Sequence, residues 1–187
     1  MNYFETIKCD DEEVFNITYH EKRIARTIGK NINLLEYIYP PSDQLLKCKI
    51  LYNEDEILDV SFNIYEKRNI KSFKIIINDE INYISKFENR DKINTLFSKK
   101  ETADEIIIVK NNLITDTSIA NIAIYIENQW YTPKKPLLLG TTRQRYIDDG
   151  ILKEKDITLD LLKKATKIAL LNAMVDFDEI DDFSILY

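Results

Sequence analysis

Three groups of side chains in this sequence have types and spacings that chemistry could use. Lys86 stands in Lys86-Phe87-Glu88-Asn89-Arg90. A lysine amine drawn out of water beside other cations gives up its proton more readily, which leaves a free nucleophile or base. It is also one lysine among many, and an ordinary surface residue on composition alone. Arg23 follows His20 by one helical turn, and a guanidinium can grip a phosphate through two parallel N–H bonds. A solvated helix face that also carries Arg26 would use the same residue. Thr141 and Thr142 follow Gly140 where a loop becomes a helix. Backbone amides and a hydroxyl there can hold a phosphate dianion, and plain capping threonines would look the same.

Composition removes much of the rest. The chain has 187 residues, 44% of them hydrophobic and 31% charged, with a formal net charge of −6. That describes a soluble globular protein with enough length for a core, as one large domain or two small lobes. Its glycines, Gly29, Gly140 and Gly150, lie too far apart for a dinucleotide fingerprint or a P-loop. The single His20 excludes a histidine metal cluster, and Cys9 with Cys48 cannot form a zinc knuckle, so no metal is expected. Lysines and arginines are spread along the chain, which predicts no nucleic-acid partner. No apolar run approaches the ~18 residues of a membrane span. The start, Met1 to Lys8, has no signal-peptide pattern, so a cytoplasmic location is expected.

The elements that must carry these residues follow from periodicity and turn chemistry. Tyr3 to Ile7 predicts a strand, returning at Val14 to Ile17. Thr18 with Glu21 three residues on predicts a capped helix through Ile24 and Ile28. Leu45–Tyr52, Ile57–Tyr65 and Phe73–Ile77 are expected strands, and Asp91–Ser98 a short helix. Glu105–Lys110 and Asn121–Ile126 are further strands, with turns at Asn111-Asn112 and Glu127-Asn128. A helix from Thr142 should stop at Gly150, and Thr158 should cap another. The pattern is α+β, rich in hairpins rather than a regular βαβ alternation. It divides into a small N-terminal α+β lobe, 1–80, and a C-terminal lobe, 81–187.

Three separated stretches together resemble the class IV aminotransferases, the fold-type IV family of pyridoxal-phosphate enzymes. Lys86-Phe87-Glu88-Asn89-Arg90 is similar to the family's K-x-x-N-R around the cofactor lysine. Leu113 to Ile122 resembles V-T-E-x-x-x-x-N-[IL], with Asp116 in place of Glu. Gly140-Thr141-Thr142-Arg143 is similar to the G-[IV]-T-R that opens a phosphate-binding helix. Phe4-Glu5-Thr6 and His20-Glu21-Lys22-Arg23 match F-E-T and H-x-x-R. The match spans nearly the whole chain, which begins at the F-E-T strand and so resembles a shortened form of the two-lobed, D-amino-acid-aminotransferase-like fold.

The resemblance implies roles. Lys86 would be the catalytic lysine that bonds pyridoxal 5′-phosphate, and Arg23, Thr141 and Thr142 would hold its phosphate. Asp116 would pair with the pyridine nitrogen, from a side chain one methylene shorter than the expected glutamate. Asn121 would support the loop by hydrogen bonding. Arg68, Arg90 and Arg143 compete as anchors for substrate carboxylates, with nothing in the sequence to choose between them. Asn172-Ala173-Met174 resembles the N-A-[LM] of 4-amino-4-deoxychorismate lyase, where transaminases usually show a Gly-Thr pair. The implied activity is that lyase reaction on a small-molecule substrate in folate biosynthesis, by a homodimer. The alternatives are a branched-chain or D-amino-acid aminotransferase, and a non-catalytic class IV relative.

Overall fold

The structure is a computed structural model that describes all residues from Met1 to Tyr187. Its chain groups into two compact units, Met1–Lys67 with Ser85–Asn89, and Arg68–Ile84 with Arg90–Tyr187.

The first unit is built on a four-stranded antiparallel sheet. Strand β1 (Tyr3–Asp10) lies between β2 (Glu13–Val14) and β3 (Leu46–Tyr52), and β4 (Ile57–Ile64) forms the far edge. Strict alternation in β3 buries Leu46, Cys48, Ile50 and Tyr52 on one face. Helix α1 (Ile17–Ile28) supplies Ile24 to that core, with Tyr3, Ile7, Cys9 and Leu34. The helix does not start at a Thr18 capping box. Its N-cap is Asn16, in the left-handed region at φ 58 and with no side-chain cap bond. Glu21, expected to close the box, instead accepts the Leu34 amide at 3.0 Å. A long-range partner for a loop amide has displaced the local motif. The return strand is also shorter than expected, because Asn16 turns the chain into the helix.

The second unit holds two sheets. One runs in the order β13 (Ser184–Leu186), β5 (Ser72–Ile77), β6 (Glu105–Lys110), β7 (Leu113–Ile114). Here β5 and β6 pair in parallel, with α2 (Asp91–Phe97) between them in sequence, so one βαβ unit stands among the hairpins. The other sheet runs β10 (Leu152–Lys155), β9 (Gln129–Pro133), β8 (Asn121–Ile126), β11 (Lys167–Asn172), β12 (Asp176–Ile180). Strand β8 is covered on both faces. Ile122, Ile124 and Ile126 join the main core with Phe73, Ile107 and Val109. Ala123 faces the other way and stands opposite Ala169 of β11. That small pair leaves room for helix α3 (Thr141–Asp148), whose Tyr146 and Ile147 pack on the same cluster.

The expected tight turns form. Asn111-Asn112 and Glu127-Asn128 take positive φ values of 51 and 63, and 50 and 61. Gly150, at φ 73, follows α3 as its sequence position suggests. Thr158 caps α4 (Leu159–Leu162) by accepting the Leu161 amide at 3.2 Å. Thr18, by contrast, is exposed inside α1. Thr158→Ala should therefore cost about 1 kcal/mol in urea unfolding, whereas Thr18→Ala should be neutral or slightly stabilising. Equal losses in the two variants would restore the Thr18 cap.

Candidate active site

In the first unit, alternation along β1 turns Tyr3, Glu5, Ile7 and Cys9 inward, and Glu5 is completely buried. A carboxylate out of water needs cationic or N–H partners. It has both. His20 and Arg23, one turn apart on α1, are buried beside it. The Arg23 Nε donates to Glu5 Oε1 at 2.8 Å, and an Arg23 Nη2 bond reaches Oε2. His20 Nδ1 lies 2.6 Å from the same Oε2. Burial pushes the Glu5 carboxyl up, but Arg23 and His20 outweigh it and hold it at about 2, against an ordinary 4.5. Burial also lowers the His20 pKa, opposed by Glu5 and reinforced by the charges of Arg23 and Lys86. Neutral His20 thus donates from Nδ1, and its Nε2 is buried without a partner.

Lys86 reaches this neighbourhood through the backbone. The Phe4 amide donates to the Lys86 carbonyl at 2.9 Å, Tyr3 bridges Phe87, and the Glu88 amide donates to the Asn2 carbonyl. The Lys86 segment is thereby zipped onto the start of β1. Its half-buried ammonium stands 4.4 Å from the Phe4 ring centroid. The first unit so gathers Arg23 and His20 around Glu5 and brings the Lys86 charge within electrostatic reach of His20.

In the second unit, the turn from β7 to β8 is held by its own side chains. Thr117 Oγ1 accepts the Ala120 amide and donates to the Ala120 carbonyl, both at 3.0 Å. Asp116, at the head of that turn, is buried. It accepts from Asn121 Nδ2 at 2.6 Å and from the Leu138 amide at 2.9 Å. Burial pushes its carboxyl up to about 7 from an ordinary 3.8, against the lowering by the Leu138 amide, Asn121 and the Leu137 amide. Asn121 Nδ2 donates again to the Leu138 carbonyl at 2.8 Å. A Cβ on Gly140 would come within 1.9 Å of Asn121 Oδ1, so this glycine is set by close approach, with an ordinary extended φ of −70. Asn121 therefore ties Asp116 to the loop that delivers Gly140, Thr141 and Thr142. Both threonines are buried in the first turn of α3, and its N-cap, a glycine, has no side chain to offer.

The three arginines proposed for substrate are engaged within this unit. Arg143 is buried, donating to the Pro133 carbonyl at 2.8 Å and to Glu154 at 2.6 Å. Arg68 donates to Glu105 at 3.2 Å and to the Asp104 carbonyl at 2.7 Å. Arg90 donates to the Ser118 carbonyl at 2.6 Å, beside the Asp116 turn. Asn172 shapes the turn after β11: its Oδ1 accepts the Met174 and Val175 amides at 2.9 and 3.0 Å. Its Nδ2 reaches the Ile119 carbonyl at 3.3 Å. Two buried carboxylates had no assigned role in the sequence, Glu5 and Glu105. Both had the signal of a charged residue at an inward position of a strand, and Glu5 stands besides in the F-E-T stretch.

Residues 92–180 match the family model described as amino-transferase class IV. A solved Haemophilus somnus protein, named provisionally as a 4-amino-4-deoxychorismate lyase, is 31% identical. It is covered over 96% of its length and this chain over 92%, with a TM-score of 0.81. The chain belongs to the amino-transferase class IV family. An uncharacterised Haemophilus influenzae protein is 34% identical over 182 residues, 91% of this chain and 96% of its own. A hypothetical aminotransferase of Mycobacterium tuberculosis in its PLP-bound form shares the fold, with a TM-score of 0.79 at 13% identity, over 98% of this chain and 81% of that one. The fold is thus the α+β, fold-type IV one expected, in a short chain. Membership in this class IV family makes the chain an enzyme of lyase or aminotransferase type. No helix is long and apolar enough to cross a membrane.

Asn121 is the testable joint among these class IV motifs. Gly140→Ala should displace a side chain fixed by two hydrogen bonds, costing about 1–3 kcal/mol by urea unfolding. Wild-type stability in that variant would show that the Asn121 amide is free to move aside.

Proposed function

We propose that the chain is a pyridoxal-phosphate-dependent 4-amino-4-deoxychorismate lyase, forming 4-aminobenzoate and pyruvate. Each unit, taken by itself, carries donors whose chemistry suits the cofactor. Arg23 and the start of α3 at Thr141 and Thr142 suit a phosphate dianion. The Lys86 amine suits the aldehyde, and Asp116 suits the pyridine nitrogen. A carboxyl that titrates near neutrality can share a proton with a ring nitrogen and remain paired in either state. When bound, the pyridoxal ring supplies an electron sink for charge left on the amine-bearing carbon. Lys86 would take the proton from the substrate ring carbon that carries the amine. The enolpyruvyl group then leaves with its bonding electrons, aromatisation drives the loss, and protonation of the enol gives pyruvate.

The observation that carries the lyase reading is the turn at Asn172-Ala173-Met174. Transaminases of the family usually place a Gly-Thr pair there to help hold phosphate. Here Ala173 and Met174 bring no hydroxyl, and Asn172 Oδ1 already takes the Met174 and Val175 amides. The turn is closed on itself. The Haemophilus somnus relative, at 31% identity across 96% of its length, supports the same reading. The reading includes a homodimer and a cytoplasmic place in folate biosynthesis.

Incubation with 4-amino-4-deoxychorismate should yield 4-aminobenzoate and equimolar pyruvate, and Lys86→Ala should abolish both. Amino acids with 2-oxoglutarate should yield little glutamate. Rapid glutamate formation without 4-aminobenzoate would move the chain to the transaminases. Silence in both assays would leave a non-catalytic relative.

A further inference from the structure

We infer that Glu5 is a positioning residue for the cofactor's phosphate, acting through Arg23; the inference rests on the pyridoxal-phosphate reading above. An arginine has five N–H donors on a flexible stem, and holding it to one geometry is costly when the side chain is left to itself. Glu5 removes that freedom. Its two carboxylate oxygens take Arg23 at Nε and Nη2, side by side, which fixes the guanidinium plane. The carboxylate is itself fixed, because Oε2 also accepts from His20 Nδ1 at 2.6 Å. All three side chains are buried and lie on two rigid elements, β1 and α1. What Arg23 offers a phosphate is then chiefly orientation, since its charge is already balanced by Glu5.

The same arrangement sets the state of His20. Its charged neighbours are Glu5 from β1, Arg23 on its own helix and Lys86 from the zipped segment. The Tyr52 hydroxyl of β3 is pushed up by burial and by the Glu5 charge, so it stays neutral beside them. An ionised Glu5 can only accept, so His20 must carry its proton on Nδ1. The orphaned Nε2 is then a lone pair rather than a buried, unsatisfied N–H. With Gln at position 5, one oxygen still serves Arg23 and an amide now donates where His20 donated. The imidazole must switch tautomer or lose its bond.

The test compares the wild-type chain with Glu5→Gln, Arg23→Ala and the double variant. Each apoprotein is titrated with pyridoxal phosphate and with pyridoxal, which lacks the phosphate. Glu5→Gln should weaken pyridoxal phosphate by about tenfold or more and leave pyridoxal within about twofold. In the Arg23→Ala background the same substitution should add less than about twofold, the non-additivity of two residues acting as one. His20 is the sole histidine, so its ¹⁵N spectrum reads the tautomer without assignment. It should show a hydrogen-bonded Nδ1–H in the wild type, and in Glu5→Gln either the other tautomer or an Nδ1–H whose shift shows that the bond is lost. Undiminished pyridoxal phosphate affinity in Glu5→Gln overturns the inference alone. So does an equal loss of pyridoxal, which would make Glu5 a support for the whole unit, or an Nε2–H tautomer in the wild type. A wild-type chain that binds neither ligand overturns the functional reading and the inference with it.

Discussion

Removing a carboxylate from water is costly, and the first unit is arranged around one such group. Glu5 lies at full burial on a strand whose other inward residues are apolar. Breaking such a pair by removing one partner leaves a buried charge uncompensated, typically at a cost of about 3–5 kcal/mol. This gives the F-E-T and H-x-x-R stretches a common physical meaning. The strand buries an anion, and helix α1 supplies an imidazole and a guanidinium, one turn apart, at the spacing that reaches it. The backbone rungs from Tyr3 and Phe4 to residues 86 and 87 then carry the lysine to the same place.

The second unit solves a related problem with amides instead of a cation. Asp116 is answered by Asn121 and by the Leu138 amide, and the same Asn121 fills the space that any side chain at position 140 would need. An acid, an asparagine and a glycine spread over 25 positions are therefore one packing unit. The lowering hydrogen bonds do not overcome burial, and the carboxyl remains near neutrality rather than fully ionised. A shorter aspartate in place of the family's glutamate is compatible with this. It is held by the Asn121 side chain and by the Leu138 amide.

The candidate site residues were legible because they stand in short motifs of fixed spacing. Hairpins at Asn111-Asn112 and Glu127-Asn128 were legible because positive φ favours asparagine there. Other features were hidden for identifiable reasons. Strands β10, β12 and β13 are short edge or near-edge segments with exposed polar residues, so their alternation carries little apolar signal. The Thr18–Glu21 box failed because Glu21 is taken by Leu34, a contact set by tertiary structure. The ion pairs of Arg68 with Glu105 and Arg143 with Glu154 cross 37 and 11 positions, and no local pattern announces them. Glu5 was visible as a residue, but its role becomes readable only once the inward face of β1 is known.

Attachment of pyridoxal phosphate through Lys86 can be read directly from the covalent state of the protein. Purified protein loaded with the cofactor should be yellow and lose that colour on borohydride reduction. Mass mapping of its peptides should then find one phosphopyridoxyl group, on Lys86. An adduct on Lys74, Lys92 or Lys99, or none after loading, would contradict the account.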